Sequence, residues 1–514
     1  MANPNKVKGI LSVISAVLIN LLTGNIFTFS NTIDYYQSYL YYKNINKTIN
    51  KTTNNTIIKG QLFAKEENKT IPKEEEEYFN KIRNKLFFVA PVGIFLHNSL
   101  SSVTGYLDDI LGTRILNIIG SISLLGSQLI VYFFTDYYLL IIAYILYGLC
   151  GSLTYFQSLK NCWKYFPNKK GLITGIIFSS FGLSAFAFTT LADSLINPDG
   201  IKKVNKFYYS AEISNKYLLF LKILIICIIA LGLLSSILCF PYKKGLEEIM
   251  DEKLTVGDSS DELSINDDKG NKENHYSVQL KNEDKNNEKE EKDKESGNLT
   301  LKESIFSIDF FLCLSLAACT LVFGFLLTNT YRPFGSMKLG SYQEALKRLS
   351  QVFTILNTLS RLGWGYISDK IGFKILYMIV CINQLICGSL LYLSSEFIYT
   401  YYIVVSFGVL SFSGHFILFP SLIHKKFGVE NSVYLLGICG IFAGIAALIG
   451  PVLSIFVLKK ERDYLTIYLI GAAPTIISLI VTLIIKVDQN PKKETKNVDD
   501  NYDEDEEGLT DEKE

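Results

Sequence analysis

The apolar residues of this chain do not recur at the spacing of an amphipathic surface helix. They collect in twelve blocks, each about twenty residues long, the length a helix needs to cross the hydrocarbon of a bilayer. In hydrocarbon every backbone N–H and C=O must be bonded within its own segment, so such blocks fold as helices. The first six lie at about 9–30, 86–106, 115–134, 138–159, 171–191 and 217–240. The second six lie at about 308–330, 346–367, 375–393, 401–423, 432–458 and 464–485. The expected fold is an all-α membrane protein with twelve transmembrane helices in two six-helix halves. An even number of crossings places both termini on one side.

Polar stretches separate the blocks and set the expected domain limits. Residues 1–240 form the N-terminal half, interrupted by a polar insertion at about 43–85 with glycosylation-type triplets at Asn46, Asn50, Asn54 and Asn68. In a stretch so rich in Asn and Thr the plain reading is a disordered, low-complexity loop. Residues 241–303 are a charged linker, expected to be cytosolic and disordered. Residues 304–486 form the C-terminal half, and 487–514 an acidic, disordered tail. Lys6 and Lys8 precede the first block, which reads as an uncleaved helix that also targets the chain to membrane. Basic residues at 160–170 and at Lys425 and Lys426 favour cytosolic termini, while those at 202–206 and 459–462 run against that orientation.

Composition narrows the chemistry. Lys plus Arg and Asp plus Glu both number 50, so net charge gives no ground for a nucleic-acid partner. The nine cysteines sit in apolar segments or at Cys162, which argues against a secreted disulfide framework. With no CxxC pair and four histidines, no metal site or cofactor is expected. The blocks offer too few titratable groups for a catalytic pocket, and no HExxH, GxSxG or Walker motif occurs, so an enzyme is not expected.

The most specific signal is an internal repeat. Gly105 to Leu116 reads GYLDDILGTRIL, and Gly365 to Leu376 reads GYISDKIGFKIL. A shift of 260 residues superposes Gly105 on Gly365, Asp109 on Asp369, Gly112 on Gly372 and Arg114 on Lys374. Each copy lies between the second and third helices of its half. The glycines suit close approach and unusual dihedrals, and each Asp suits a cap on the helix that follows. Arg114 and Lys374 suit a carboxylate or a lipid headgroup.

These two loops resemble the paired loop motif of the major facilitator superfamily. The resemblance covers about residues 8–486 outside the polar insertions. It implies two pseudo-symmetric halves around a central cavity, alternating access by rocking of the halves, and cytosolic termini. It also implies that Asp109 and Asp369, with the glycines and basic residues of the motif, hold one conformational state at the cytosolic face. A helix cap without a switching role is the competing reading of the same residues.

Within the superfamily, Asn161 to Ile176, NCWKYFPNKKGLITGI, is similar to a pattern of the monocarboxylate porters and oxalate/formate exchangers. So is Asn357 to Gly372, NTLSRLGWGYISDKIG, with Gly24 to Ser30, GNIFTFS, as a looser match. In that group an Arg four residues before the motif glycine contacts the substrate carboxylate, and Arg361 stands at that place. An ionised side chain inside an apolar block is costly and calls for a reason, although Arg361 could also snorkel to the interface. Proton-coupled monocarboxylate porters carry an Asp where this chain has Asn357. One turn apart, Asn357 and Arg361 share a face and can hydrogen-bond, but Asn357 cannot titrate. The exchangers' Lys in the eleventh helix has no counterpart in 432–458, which favours a monocarboxylate over a dicarboxylate.

Asn20 and Asn25 are further substrate-binding candidates in the first helix, with polar glue between helices as the alternative. His97 and His415 sit mid-block. Gly440 and Gly444 form a GxxxG packing pair, and Trp163 suits an interfacial belt. The expected function is transport of a small organic solute, a lactate-, pyruvate- or pantothenate-like monocarboxylate, with a coupled proton or counter-anion as the accompanying ion. The alternatives are an amino acid or drug-like solute, or a non-transporting membrane sensor. The expected location is a multi-pass position in the plasma membrane, with the lipid bilayer as a partner.

Overall fold

The computed structural model describes residues 4–52, 82, 85–86, 88–201, 203, 208–242, 300–339, 342–456 and 463–486. The linker residues 243–299, the tail 487–514, insertion residues 53–81 (with Asn54 and Asn68) and the basic residues 202, 206, 459, 460 and 462 lie outside this set.

Sixteen α-helices carry the described chain, and the first half contains α1 (Pro4–Thr23), α2 (Ile26–Thr52), α3 (Val89–Ser99), α4 (Ser101–Leu111), α5 (Thr113–Phe133), α6 (Tyr137–Tyr165), α7 (Lys170–Ile196), α8 (Ala211–Asn215) and α9 (Tyr217–Leu238). The second half contains α10 (Leu301–Ile305), α11 (Ile308–Lys338), α12 (Gln343–Ile371), α13 (Phe373–Ser394), α14 (Ile398–Phe456), α15 (Asp463–Ala472) and α16 (Pro474–Ile484). Among the described residues, nine stretches are long and apolar enough to cross a membrane. One of these stretches holds two crossings, because Gly428 breaks α14 with φ of 78°. Two more crossings escape a hydropathy criterion: α3 and α4 are short halves meeting at Leu100, and α12 is polar along one side. The count of twelve follows, six to each half.

Local chemistry explains the starts and stops. Asp136 caps α6, accepting from the amides of Tyr138 and Leu139 at 2.8 and 3.2 Å. Thr300 and Glu303 form a capping box on α10, and Ser307 caps α11. Gly112 and Gly372 take φ of 79° and 87°, a region costly for any residue with a Cβ, so each half turns sharply from its second helix into its third.

The first crossing departs from expectation. The apolar block near residue 30 does not end the helix: α2 continues to Thr52, with Asn46 and Asn50 inside it, so the start of the polar insertion is helical. The crossing is interrupted at Gly24 and Asn25. A Cβ on Gly24 would stand 2.2 Å from the Phe181 carbonyl oxygen, so glycine lets α7 lie against the break. At the break the Leu22 carbonyl accepts a long backbone bond from the Asn25 amide at 3.3 Å, and Tyr147 Oη adds a second donor at 2.9 Å.

Large side chains such as Ile226, Leu233, Ile237 and Ile484 are exposed on the outer faces, as lipid contact requires. Inside, one buried cluster joins Tyr155, Phe178 and Phe181 of the first half to Ile417, Leu436 and Cys439 of the second. Because lipid is as apolar as these side chains, close packing rather than escape from water holds the helices together.

The repeat is visible in the bonds. Arg114 Nε donates to the Ser236 carbonyl at 3.0 Å, and Lys374 Nζ to the Leu483 carbonyl at 2.7 Å. Each basic residue therefore satisfies the C-terminal carbonyls of the last crossing of its half, where the helix dipole is negative. The partners found are backbone carbonyls, where a carboxylate was one expectation, and neither residue forms an ion pair among the described residues. These bonds place the ends of α9 and α16 beside the two motif loops, and Ser12 Oγ, donating to the Phe240 carbonyl at 2.9 Å, brings the start of α1 to the same face.

Candidate functional site

Two seams join the halves, and both are built on small residues. Gly171, Gly175, Phe178 and Gly182 fall on one face of α7, which packs on α12. A Cβ on Gly365 would lie 2.5 Å from the Gly171 carbonyl, and one on Gly175 would lie 2.9 Å from the Arg361 carbonyl. On the pseudo-symmetric seam, Gly437, Gly440 and Gly444 of α14 press on Ser102, Asn98 and Phe95. The Gly440–Gly444 pair packs there as expected. The α7 glycines carry the same spacing, in KGLITG, and sequence reasoning passed over them.

The motif face is closed by polar contacts across these seams. Asp369 Oδ1 and Oδ2 accept from the backbone amides of Gly171 and Leu172, each at 3.0 Å. Asp369 thus caps α7, a helix of the opposite half, rather than α13, the helix that follows it. Gly372 is the N-cap of α13, without a side-chain bond. Burial in this dock pushes the Asp369 carboxyl above its ordinary pKa, and the two amides and Lys425 oppose that shift. Asp109 likewise does not cap α5: it accepts from Tyr434 Oη at 2.7 Å across the halves and meets Lys160 Nζ at 3.3 Å.

Lys160 is the residue the sequence concealed. It is 2% exposed and gathers Asp109, Asp108 at 3.9 Å and, from the opposite half, Glu430 at 3.2 Å. Lys164 reaches Glu430 at 2.7 Å, and Lys170 Nζ lies 2.6 Å from His424 Nε2. Asp108 accepts from Thr113 Oγ1 at 2.9 Å, a side-chain bond, and the N-terminus of α5 has no side-chain cap. Trp163 is buried, not interfacial: its indole donates to Thr174 Oγ1 at 3.0 Å and braces the turn between α6 and α7.

Deeper between the halves, Arg361 is 2% exposed and does not snorkel. Nη1 donates to the Phe178 carbonyl at 2.7 Å, the guanidinium lies 5.0 Å over the Phe416 ring, and the Tyr155 phenol is its polar neighbour. Nε has no hydrogen-bond partner, and Arg361 forms no ion pair among the described residues. The expected bond from Asn357 does not form: its Oδ1 is also unpartnered, because Arg361 turns across to α7.

Tyr155, Phe178 and Phe416 also line a cavity between the halves, together with Asn98, Thr320, Tyr377, His415 and Cys439. Its free volume is ≈ 50 Å³ on a scale where one water takes about 10–15 Å³. Arg361 therefore sits directly behind the cavity wall. Asn20 and Asn25 are not brought to it by their described bonds. Asn20 Nδ2 donates to the Ala16 carbonyl and to Ser158 Oγ at 2.8 and 3.3 Å, and Asn25 adjoins Tyr147, all within the first half. His97 packs on Tyr155 and Phe181, close to the same wall.

Known proteins agree with this architecture. The family model described as Major Facilitator Superfamily matches residues 94–435. The uncharacterized MFS-type transporter YhjX of Escherichia coli (strain K12) is 33% identical over 104 residues, 20% of this chain and 26% of that protein. The match thus spans about a quarter of that relative's length. The structure of the proton:xylose symporter XylE bound to 6-bromo-6-deoxy-D-glucose superposes with a TM-score of 0.60 at 12% identity, covering 94% of this chain and 96% of that one. A family match over most of the chain, twelve crossings in two halves and a repeated motif loop lead to one assignment: this multi-pass membrane protein is a member of the major facilitator superfamily.

Proposed function

We propose that the protein carries a small monocarboxylate-type anion across the plasma membrane by alternating access, with the motif loops at the cytosolic face. Arg361 is the observation that supports this reading. A cation in the membrane interior without an ion-pair partner among the described residues is expensive, and its Nε is left without an acceptor. An anionic solute entering the adjacent cavity supplies the missing charge, and a planar fork matches a carboxylate. The limited cavity volume favours lactate- or pyruvate-sized acids, and a vitamin acid such as pantothenate would need the halves to part. Rocking about the two glycine seams, with Asp369 and Asp109 as the closing contacts, gives the solute access from one side at a time. Asn357 cannot carry a proton, so a coupled proton or counter-anion must use another group.

The basic residues Lys6, Lys8, Lys164, Lys169, Lys170, Lys425 and Lys426 cluster at the motif face, which supports cytosolic termini. Uptake of labelled monocarboxylates and amino acids into proteoliposomes tests the substrate class. Wild-type protein should take up the acids, and Arg361→Ala protein of equal stability should lose that uptake selectively. Equal carboxylate uptake by the two proteins would remove Arg361 from the site.

A further inference from the structure

His415 lines the same cavity from α14, yet the gate and Arg361 leave its ring unused. The ring is held by a buried network within the second half. Gln384 Nε2 donates to the Thr320 carbonyl at 2.9 Å and to Thr475 Oγ1 at 2.6 Å. A carbonyl oxygen only accepts, so this bond fixes which end of the Gln384 amide is nitrogen. Oε1 is left facing His415 Nε2 at 2.7 Å, and it too only accepts. The neutral imidazole must therefore carry its proton on Nε2, which makes Nδ1 a bare acceptor. His415 is 2% exposed and Nδ1 has no partner. A buried acceptor left unsatisfied beside a cavity is costly unless a ligand donates to it.

We infer that His415 is a specificity residue, its Nδ1 accepting a hydrogen bond from a hydroxyl of the transported acid, and that Gln384 is the positioning residue that locks this tautomer. This inference rests on the carboxylate reading above and refines it. Phe416, the next residue, lies under the Arg361 guanidinium and lines the cavity, so the cation stands behind the wall of the space that His415 borders. A solute bearing both a carboxylate and a hydroxyl satisfies both. The same acid without the hydroxyl leaves Nδ1 orphaned, and a keto acid brings a second acceptor against it. Sites built to bond a hydroxyl reject analogues lacking it far more strongly than apolar pockets reject a change in size.

The test compares lactate with propionate and pyruvate, and 3-hydroxybutyrate with butyrate, in proteoliposomes holding the full chain. Wild type should favour at least one hydroxy acid over its counterparts by about tenfold or more in uptake at limiting concentration. In His415→Phe that ratio should fall toward one, and Gln384→Leu should lower it partway by freeing the tautomer. A second measurement needs no variant: with ¹⁵N-labelled histidine in wild-type protein, the bare Nδ1 resonance of His415 should move on adding the hydroxy acid and stay in place with its deoxy counterpart. Arg361-dependent acid uptake without hydroxyl preference, or a preference unchanged in His415→Phe, would overturn this inference and leave the carboxylate reading standing. Absence of any acid uptake would overturn both.

Discussion

Arg361 Nη1 donates to the backbone carbonyl of Phe178 at 2.7 Å, from the eighth crossing to the fifth, and so ties the charged side chain of one half to the main chain of the other. A carbonyl in mid-helix already accepts its own helical bond, and this second donor binds its remaining lone pair. The bond depends on close approach, which Gly175 permits beside it. Arg361 is thus both a cation at the cavity wall and a strut between the two halves. On the proposed function, an anion that draws its guanidinium toward the cavity would loosen that strut and so couple solute binding to motion of the halves.

Lysine should not replace this arginine. It keeps the charge but cannot hold the Phe178 carbonyl and a carboxylate in one plane. Losing a hydrogen bond to a charged group costs about 1.5–3 kcal/mol, or about 10- to 100-fold. Arg361→Lys should raise KM for monocarboxylate uptake by that order. A KM equal to wild type would show that the planar fork is not used.

Two glycines on α12 make a controlled pair. A Cβ on Gly363 meets nothing within 4 Å, whereas one on Gly365 falls 2.5 Å from the Gly171 carbonyl. Backbone cannot shift cheaply in a packed seam, and overpacking costs about 1–3 kcal/mol. Gly363→Ala should leave melting temperature and uptake near wild type, while Gly365→Ala should lower both. Equal effects from the two substitutions would mean that the seam is not closed as tightly as this geometry requires.

The docked carboxylate of Asp369 yields a third expectation. Asn at this place keeps one acceptor but loses the charge that meets the positive end of α7, an interaction worth about 0.3–2 kcal/mol. Asp369→Asn should therefore populate the state open at the motif face more heavily. Cys439 lines the cavity and is 2% exposed, so its alkylation by an impermeant maleimide reports that opening. Labelling from the motif side should rise severalfold in Asp369→Asn and vanish in a Cys439→Ser background. An unchanged rate would reduce Asp369 to a static cap.

Much of this was legible in the chain, and the remainder has a common physical cause. The crossings can be read because hydrocarbon demands a continuous apolar run, and the motif copies because a sharp turn needs Gly112 and Gly372. Arg361 stood out because charge in an apolar block is costly. What stayed hidden is where partners lie far apart in sequence. Capping signals are local, so Asp369 reads as a cap for α13, while its true partner amides lie 198 and 197 residues away on α7. Lys160 reads as one more cytosolic basic residue until folding brings Asp109 and Glu430 to it. The tautomer of His415 depends on Gln384 and Thr320, on two other helices, and no spacing encodes it.

Lys160 gives the last expectation. It is nearly fully buried and is held both by Asp109 of its own half and by Glu430 of the other, which are 36% and 60% exposed in their side chains. Replacing it with Met leaves Asp108 and Asp109 facing each other without a cation. Removing one partner of a buried pair costs about 3–5 kcal/mol, and exposure of the acids screens part of that. Lys160→Met should thus lower the melting temperature clearly, and Asp109→Asn added to it should restore part of the loss, because the second change removes a charge the first left unpaired. Glu430→Gln weakens only this cluster's ion pairs across the halves, to Lys160 and Lys164, and leaves the Asp108–Asp109–Lys160 group intact. It should leave the melting temperature closer to wild type yet speed Cys439 alkylation from the motif side. If Lys160→Met and Asp109→Asn act additively, and Glu430→Gln does not alter labelling, the cluster holds the first half together without taking part in closing the gate.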